Sequence, residues 1–194
     1  MSLRLFAKQA VNLAARILVF PAACLAGFGR WHEPYIFFAN ALALIPGIVG
    51  SYLRVAYYGF SLDRTGTDCH IGFGSYFAHS AASLGNKVGI GAYCVLGQCD
   101  IGEGSLLGSQ VQILSGSRQH RRDADGGLTD EGRSFRRIAV GEQCWIGAGA
   151  IVTADLGKGV TVGPASVVSQ AVPDGATVSG NPARNFAFVV KPVS

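Results

Sequence analysis

The chain has four histidines suited to proton transfer near neutral pH: His32, His70, His79 and His120. An imidazole can take the proton of a hydroxyl as that oxygen attacks a carbonyl carbon, which is general-base catalysis. His120 lies in a charged stretch, and His79 lies in the segment Tyr76-Phe77-Ala78-His79-Ser80. His120 and His79 are both candidates for such a base. His32 and His70 are interpreted as structural.

Arginines surround His120 in the sequence. Arg118, Arg121 and Arg122 could bind a phosphate or a uronate of a ligand through forked hydrogen bonds. They could equally pair with the acids Asp123, Asp125 and Asp130 of the same stretch and only order it. The sequence leaves both interpretations open.

The elements that must position these residues repeat every six residues from Thr67 onward. Three hexads predict one triangular coil, in which an aliphatic residue points inward and a glycine lets the chain turn the corner. Stacked coils then satisfy one another's backbone hydrogen bonds and bury an aliphatic column. The pairs that carry the period include Leu84-Gly85, Ile90-Gly91, Leu96-Gly97, Leu107-Gly108, Val140-Gly141, Ile146-Gly147 and Val162-Gly163.

The period breaks between residues 115 and 137, where the chain is polar and charged. A stretch of this length that cannot coil is predicted to leave the β-helix as a loop. Long loops held by a rigid scaffold are commonly functional. The loop that contains His120 is therefore expected to be part of the functional site.

Residues 1–58 differ from the repeat and are predicted to form an apolar helical segment. Leu3, Phe6, Ala10, Leu13, Ile17 and Phe20 recur at helical spacing, and Pro21 is expected to end or kink this helix. A second apolar stretch, 35–44, precedes the breaker Ile45-Pro46-Gly47. The predicted division is a helical segment 1–58, a β-helix 59–184 and a tail 185–194.

Two interpretations of this segment remain open. It could cap the open end of the β-helix, or it could lie on a membrane surface with Arg16, Arg30 and Arg54 near lipid headgroups. A membrane-spanning helix is not expected, because Asn12, Arg16 and Pro21 interrupt the apolar run. Either interpretation predicts a cytoplasmic protein, and the second places it on the inner face of the membrane.

Bulk composition excludes several classes. The chain of 194 residues is 49% hydrophobic and 14% charged, which predicts a folded protein. A net charge of +4 without a continuous basic stripe argues against nucleic-acid binding. The five cysteines form no CxxC pair and are interpreted as reduced packing residues.

The runs 144–152 and 162–168 and the ending Val178-Ser179-Gly180-Asn181-Pro182-Ala183-Arg184 resemble the hexapeptide-repeat acyltransferases, and within them the sugar O-acetyltransferases. The resemblance covers about residues 68–184 and implies a left-handed parallel β-helix. It further implies a homotrimer with a cleft between neighbouring subunits, acetyl-CoA as co-substrate, and no metal. The implied acceptor is a small-molecule or lipid-linked carbohydrate, and a loop histidine would be the general base.

The same resemblance implies roles for further residues. Small side chains that let the pantetheine arm of CoA approach the backbone are Gly147, Ala148, Ala165 and Ser166, although corner geometry alone would also explain them. Arg184 or Lys191 would meet the nucleotide phosphates. Arg118, Arg121 and Trp145 would bind the acceptor, with Trp145 as either a cleft wall or a residue of the trimer interface.

Three alternatives stay open beside sugar O-acetylation. One is an N-acetyltransferase acting on an amino sugar, or a serine acetyltransferase. Another is an enzyme of the γ-carbonic anhydrase type, which needs three histidines around a metal, whereas the loop offers only His120. The third is a β-helix without catalytic activity that serves as a scaffold.

Overall fold

The computed structural model describes residues 3–115, 121–122, 125–129 and 135–185. For residues 3–5, 121, 122 and 128 it describes the backbone alone. His120, Arg118 and Lys191 lie outside the described residues.

Three α-helices come first in the chain: α1 (Leu3–Leu25), α2 (His32–Ala43) and α3 (Gly47–Ser61). A short 3-10 turn, Gly27–Gly29, joins α1 to α2. The break between α2 and α3 falls at the predicted Ile45-Pro46-Gly47. Pro21 does not end α1, which continues for another turn to Leu25. A proline inside a helix removes one backbone hydrogen bond and can be tolerated where the neighbouring turns are held by packing.

Short strands then wind into three parallel sheets, one for each side of the coil. Sheet 1 contains β1 (Arg64–Thr65), β4 (Ser83–Leu84), β7 (Cys99–Ile101) and β12 (Ile138–Val140). Sheet 2 contains β2 (His70–Ile71), β5 (Gly89–Ile90), β8 (Leu106–Leu107), β13 (Trp145–Ile146), β15 (Thr161–Val162) and β17 (Thr177–Ser179). Sheet 3 contains β3 (Tyr76–Phe77), β6 (Val95–Leu96), β9 (Gln112–Ile113), β14 (Ile151–Val152) and β16 (Val167–Val168).

The register of these sheets follows the hexapeptide period. Each strand pairs in parallel with the strand one coil away, so that Ile90 lies between Ile71 and Leu107. Every aliphatic residue that defined the period is buried, and the predicted left-handed parallel β-helix is confirmed. The β-helix has about five turns. Two further strands, β10 (Arg121–Arg122) and β11 (Leu128–Thr129), form an antiparallel hairpin within the interruption. The strand β18 (Arg184–Asn185) folds back antiparallel on β17.

Helices α2 and α3 lie against the first coil and cover its end. The buried hydroxyl of Tyr35 donates to the carbonyl of Phe77 at 3.0 Å, and the hydroxyl of Tyr58 accepts from the Phe77 amide at 3.1 Å. These bonds satisfy the backbone of β3 on the side where a coiling strand has no further neighbour. The helical segment and the coil thus share one core.

Arg54 of α3 holds the helices to the coil from inside. Only 1% of the residue is exposed, and its guanidinium donates to the carbonyls of Ile71, Leu42 and Ile45 at 2.8 to 3.0 Å. Burial lowers the pKa of this guanidinium. Arg54 is therefore not available to lipid headgroups, which corrects that part of the membrane-surface interpretation.

Candidate active site

Three aromatic rings from distant parts of the chain meet at the corner that follows sheet 3 in the first coil. The rings of His32 and His79 stack with centroids 5.5 Å apart and planes inclined by 24°. The ring of Phe135 lies 5.0 Å from that of His79 on an inclined plane. We name His32, His79 and Phe135 the histidine corner. It joins the start of α2, the first coil and the returning end of the loop.

The backbone around His79 is fixed on both sides. The preceding strand β3 is bound by Tyr35 and Tyr58, as described for the fold. The next residue, Ser80, donates its hydroxyl to the carbonyl of Gly29 in the 3-10 turn at 2.8 Å. Because Gly29 has φ +87 and an added Cβ would lie 2.2 Å from the Ser61 carbonyl oxygen, this close approach requires glycine.

The half-buried position of His79 changes its acid–base behaviour. Burial lowers the pKa of His79 below its ordinary value, and the neighbouring His32 lowers it further by charge repulsion. Desolvation disfavours the charged imidazolium, so that the neutral ring is favoured at neutral pH. A neutral imidazole at this corner can accept a proton or a hydrogen bond.

The loop leaves and re-enters the coil close to this corner. The amide of Arg136 donates to the carbonyl of Ser115 at 2.9 Å and closes the loop's neck. The backbone N–H of Gln98 donates to the Ser115 hydroxyl at 2.8 Å, and the backbone carbonyl of Gln98 accepts from the Ile138 backbone N–H at 3.0 Å. His79, Gln98 and Ser115 occupy the same corner of successive coils. The neck therefore lies about 10 Å from His79, at the spacing of two parallel strands.

Arg137 anchors the returning end of the loop. One terminal nitrogen of its guanidinium binds Asp63 and the other binds Asp100, each at 2.6 Å. Asp100 also accepts a hydrogen bond from the hydroxyl of Ser83. Since Asp63 follows α3 and Asp100 belongs to β7, one side chain joins the loop to both the helical segment and the coil. This contact anchors the chain two residues after Phe135, whose ring lies beside that of His79.

Four of the residues predicted to bind the cofactor lie at a different corner, between sheets 2 and 3: Gly147, Ala148, Ala165 and Ser166. Ala148 and Ala165 are exposed there on adjacent coils, and the Ala165 amide donates to the Ala148 carbonyl at 2.8 Å. Gly147 is buried, and a Cβ at this position would lie 2.5 Å from the backbone nitrogen of Pro164. Ser166 is fully buried, and its hydroxyl accepts from the Gly180 amide at 3.1 Å. Coil geometry accounts for Gly147 and Ser166, and Ala148 and Ala165 remain open to a ligand.

The other predicted residues are dispersed. Trp145 points outward from sheet 2 with 52% of its surface exposed, beside Leu106 in register with 53% exposed. Arg184 is exposed in β18 at the far end of the coil and lines a pocket of about 180 Å³. The backbone of Arg121 lies in the loop hairpin. The predicted roles of His120, Arg118 and Lys191 fall on residues outside those that the structure describes.

A groove of about 500 Å³ follows sheet 1, and none of the predicted site residues lines it. It is lined by charged side chains of both signs, including Asp100, Glu142 and Lys158. Among the residues that the structure describes, no three His, Cys, Asp or Glu side chains are grouped so as to hold a metal ion. Sequence analysis missed His32 and Phe135 as partners of His79, because no local pattern connects three segments so far apart.

Solved structures of known enzymes share this architecture. A hexapeptide-repeat-containing acetyltransferase from Vibrio cholerae matches with a TM-score of 0.67 and 21% identity, over 82% of this chain and 93% of that one. Galactoside acetyltransferase in complex with coenzyme A matches with a TM-score of 0.64 and 16% identity, over 84% of this chain and 80% of that one. A perosamine N-acetyltransferase from Caulobacter crescentus matches with a TM-score of 0.49 and 21% identity, over 64% of this chain and 50% of that one. No protein-family model matches the chain.

The chain has the left-handed parallel β-helix of the hexapeptide-repeat acetyltransferases, with an N-terminal helical segment added to it.

Proposed function

We propose that this protein is an acetyl-CoA-dependent acyltransferase that acetylates a hydroxyl of a sugar or polysaccharide precursor, with His120 as general base. The observation that carries the proposal is the fold match over 93% of a Vibrio cholerae acetyltransferase, combined with a long loop that leaves the coil where a histidine follows. Galactoside acetyltransferase, which shares the fold, was crystallised with coenzyme A.

His120 is five residues beyond Ser115, where the loop leaves the coil. Five extended residues span about 17 Å, so a base at His120 is within reach of the histidine corner. In the proposed reaction the acceptor oxygen forms a bond to the thioester carbonyl carbon while the imidazole takes the hydroxyl proton. The carbon–sulfur bond then breaks, and CoA leaves as a thiolate that the imidazolium protonates. His79 is the second candidate for this base, since burial favours its neutral form.

The exposed edge at Ala148 and Ala165 fits the extended arm of CoA. Both side chains are small, both face solvent, and the two residues are stacked on adjacent coils. Bound acetyl-CoA would supply the activated acetyl group as a thioester. Arg184 and Lys191 are proposed to meet its phosphates, and Arg118 and Arg121 to bind an acidic group of the acceptor.

A homotrimer is proposed as the active form, in the cytoplasm. Leu106 and Trp145 form an exposed apolar pair on sheet 2, which would be covered either by a neighbouring subunit or by the acceptor in the cleft. Replacing both residues with glutamate should convert a trimer to monomers if they lie in the interface. Light scattering after size exclusion measures this, and a trimer that persists with weaker acceptor binding would assign Trp145 to the cleft.

The experiment that tests the function is acetyl-CoA binding by calorimetry, followed by an acceptor screen. We expect wild type and His120→Ala to bind acetyl-CoA alike, and only wild type to turn over. His79→Ala serves as the comparison, because loss of turnover in that variant alone would move the base to His79. Folded protein that binds no acetyl-CoA would contradict the acyltransferase proposal and favour the scaffold. Acetylation of amino sugars or serine, but not of hydroxyl sugars, would favour the N-acetyl or serine alternative.

A further inference from the structure

Helix α1 exposes its apolar stripe to solvent. Most of the large side chains on its outer side are about half exposed or more: Phe6 61%, Val11 45%, Leu13 61%, Ile17 65%, Leu18 71%, Phe20 48% and Leu25 62%. The helix packs inward through the small residues Ala15, Val19 and Ala23, which are buried. The stripe that the sequence shows is therefore not the surface that covers the coil.

The polar residues of α1 lie on the opposite side, toward the body of the protein. Lys8, Gln9, Asn12 and Arg16 line a pocket of about 340 Å³ between α1, α3 and the first coil. Lys8 forms a 2.6 Å ion pair with Asp68 of that coil, and the Arg16 guanidinium lies 4.9 Å from the centre of the Phe60 ring. A surface helix of a water-soluble domain has the reverse arrangement, with its apolar side toward the core.

We infer that the outer face of α1 docks into the interface of an anionic lipid bilayer, with the helix lying parallel to the membrane plane. Apart from the buried Arg54, the helical segment carries Arg4, Lys8, Arg16 and Arg30 against the single acid Glu33. Lys8 is paired with Asp68, so a net positive charge remains on the segment. This charge complements anionic headgroups and repels a second copy of the same surface. This inference goes beyond the proposed function and does not depend on it.

The contacts of Lys8 and Arg16 with the body of the protein define the orientation of α1 relative to the membrane. By length and composition alone, Phe6–Leu25 could cross a membrane, and only 17% of that stretch is buried in the protein. Crossing would require α1 to leave α3, break the Lys8–Asp68 ion pair and bury Arg16 in hydrocarbon, which is costly. Lying in the interface keeps these contacts and removes only the apolar face from water. Trp31, 60% exposed just after the turn that ends α1, is an aromatic side chain suited to the headgroup region.

Two native reporters allow a test on the full chain. Cys24 is the exposed cysteine and lies seven residues after Ile17, on the same side of α1, whereas the other four cysteines lie half-buried or buried in the coil. The chain has two tryptophans, so Trp145→Phe leaves Trp31 as the single fluorescent reporter. We would add vesicles of phosphatidylcholine, with or without phosphatidylglycerol, and measure co-sedimentation, modification of Cys24 by a charged thiol reagent, and quenching of Trp31 by brominated lipid.

We expect binding to vesicles that contain phosphatidylglycerol, quenching of Trp31, and slower modification of Cys24. The rate should fall about tenfold when roughly nine-tenths of the protein is bound, because only free protein reacts. Trp145 in Trp31→Phe should not be quenched. Ile17→Glu should weaken vesicle binding by about tenfold or more, from the loss of one buried aliphatic side chain. Gln9→Glu adds the same charge on the inner side of α1 and should weaken binding much less.

Several outcomes would overturn the inference. Absence of binding to either vesicle, with unchanged Cys24 modification, excludes a lipid partner. Protection of Cys24 that depends on protein concentration without lipid indicates a second copy of the chain. Protein that resists alkaline carbonate extraction indicates a spanning helix. Equal losses in Ile17→Glu and Gln9→Glu would show that charge alone, and not this face, holds the protein to lipid. None of these readouts depends on acetyl transfer.

Discussion

The imidazole of His32, at the start of α2, stacks on that of His79, at a corner of the first coil, with centroids 5.5 Å apart. The two residues are far apart in the sequence, and only one of them lies in the repeat. Their contact makes the helical segment part of the surface near the loop. A ring from the end of the loop, Phe135, lies 5.0 Å from the ring of His79.

The first prediction concerns the charge of His79. Its pKa should lie below 6.5, because burial and then His32 disfavour the imidazolium. The substitution His32→Ala should raise the pKa of His79. Titration of the His79 ring by NMR measures both values, and a pKa of His79 at or above 6.5 in wild type would contradict the burial seen here.

The same shift predicts how stability depends on pH. The pKa of His79 is lower in the folded chain, so the unfolded chain binds more protons as the pH falls. The free energy of unfolding should therefore fall as the pH drops below about 7 towards the folded pKa of His79. Denaturation of wild type and of His79→Gln at several pH values below 7 tests this prediction. The free energy of unfolding of the glutamine variant should depend less steeply on pH.

A second prediction concerns Arg137, which binds Asp63 and Asp100 through separate nitrogens. Arg137→Ala should lower the free energy of unfolding by about 1 to 2 kcal/mol, as these pairs are half exposed and partly screened by solvent. Arg137→Lys should recover only part of the loss because it cannot bind both acids. A double-mutant cycle with Asp100→Asn isolates the pair, and additive effects would show that the contact is not energetically coupled. Loosening of Phe135 should also raise the pKa of His79 in Arg137→Ala.

A third prediction concerns the buried Arg54. Arg54→Met fills a similar volume but leaves the carbonyls of Leu42, Ile45 and Ile71 without this donor. The Leu42 carbonyl still accepts from the Ile45 amide, so two carbonyls are left unsatisfied. Each buried unsatisfied group costs about 1 to 3 kcal/mol, so the loss should be about 2 kcal/mol or more. Arg30→Met, at an exposed arginine of the same segment, is the matched control and should change stability by about 0.5 kcal/mol or less. Similar losses in the two variants would contradict the role of Arg54.

A fourth prediction separates coil geometry from cofactor binding. Gly147→Ala places a Cβ 2.5 Å from the Pro164 nitrogen, so it should cost about 1 to 3 kcal/mol whether or not a ligand is present. Ala148→Leu extends from the exposed edge and should leave stability within about 0.5 kcal/mol. If CoA lies there, Ala148→Leu should weaken acetyl-CoA binding. Calorimetry with thermal denaturation distinguishes the two effects, and unchanged affinity in Ala148→Leu would move the cofactor site elsewhere.

Much of the coil could be predicted from the sequence, because inward and outward orientation in each short strand is decided locally. Leu84, Ile90 and Leu96 define the period, and all three are buried where the period requires. The interruption after Ser115 could also be predicted, because a charged stretch without the hexapeptide period cannot be buried in the aliphatic core of the coil. The candidate site was only partly readable. His79 was among the predicted residues, whereas its contacts depend on packing between segments.

The sequence by itself determined the repeating coil, the place of its loop and the apolar stripe of α1, because each is a pattern of neighbouring residues. Only the tertiary structure decided that this stripe faces away from the coil, since the small residues Ala15, Val19 and Ala23 allow α1 to pack closer on its other side. It also decided that Ser166 is buried and that His32 meets His79. A local sequence pattern defines the apolar face of a helix or strand, but packing across the whole chain determines what that face contacts.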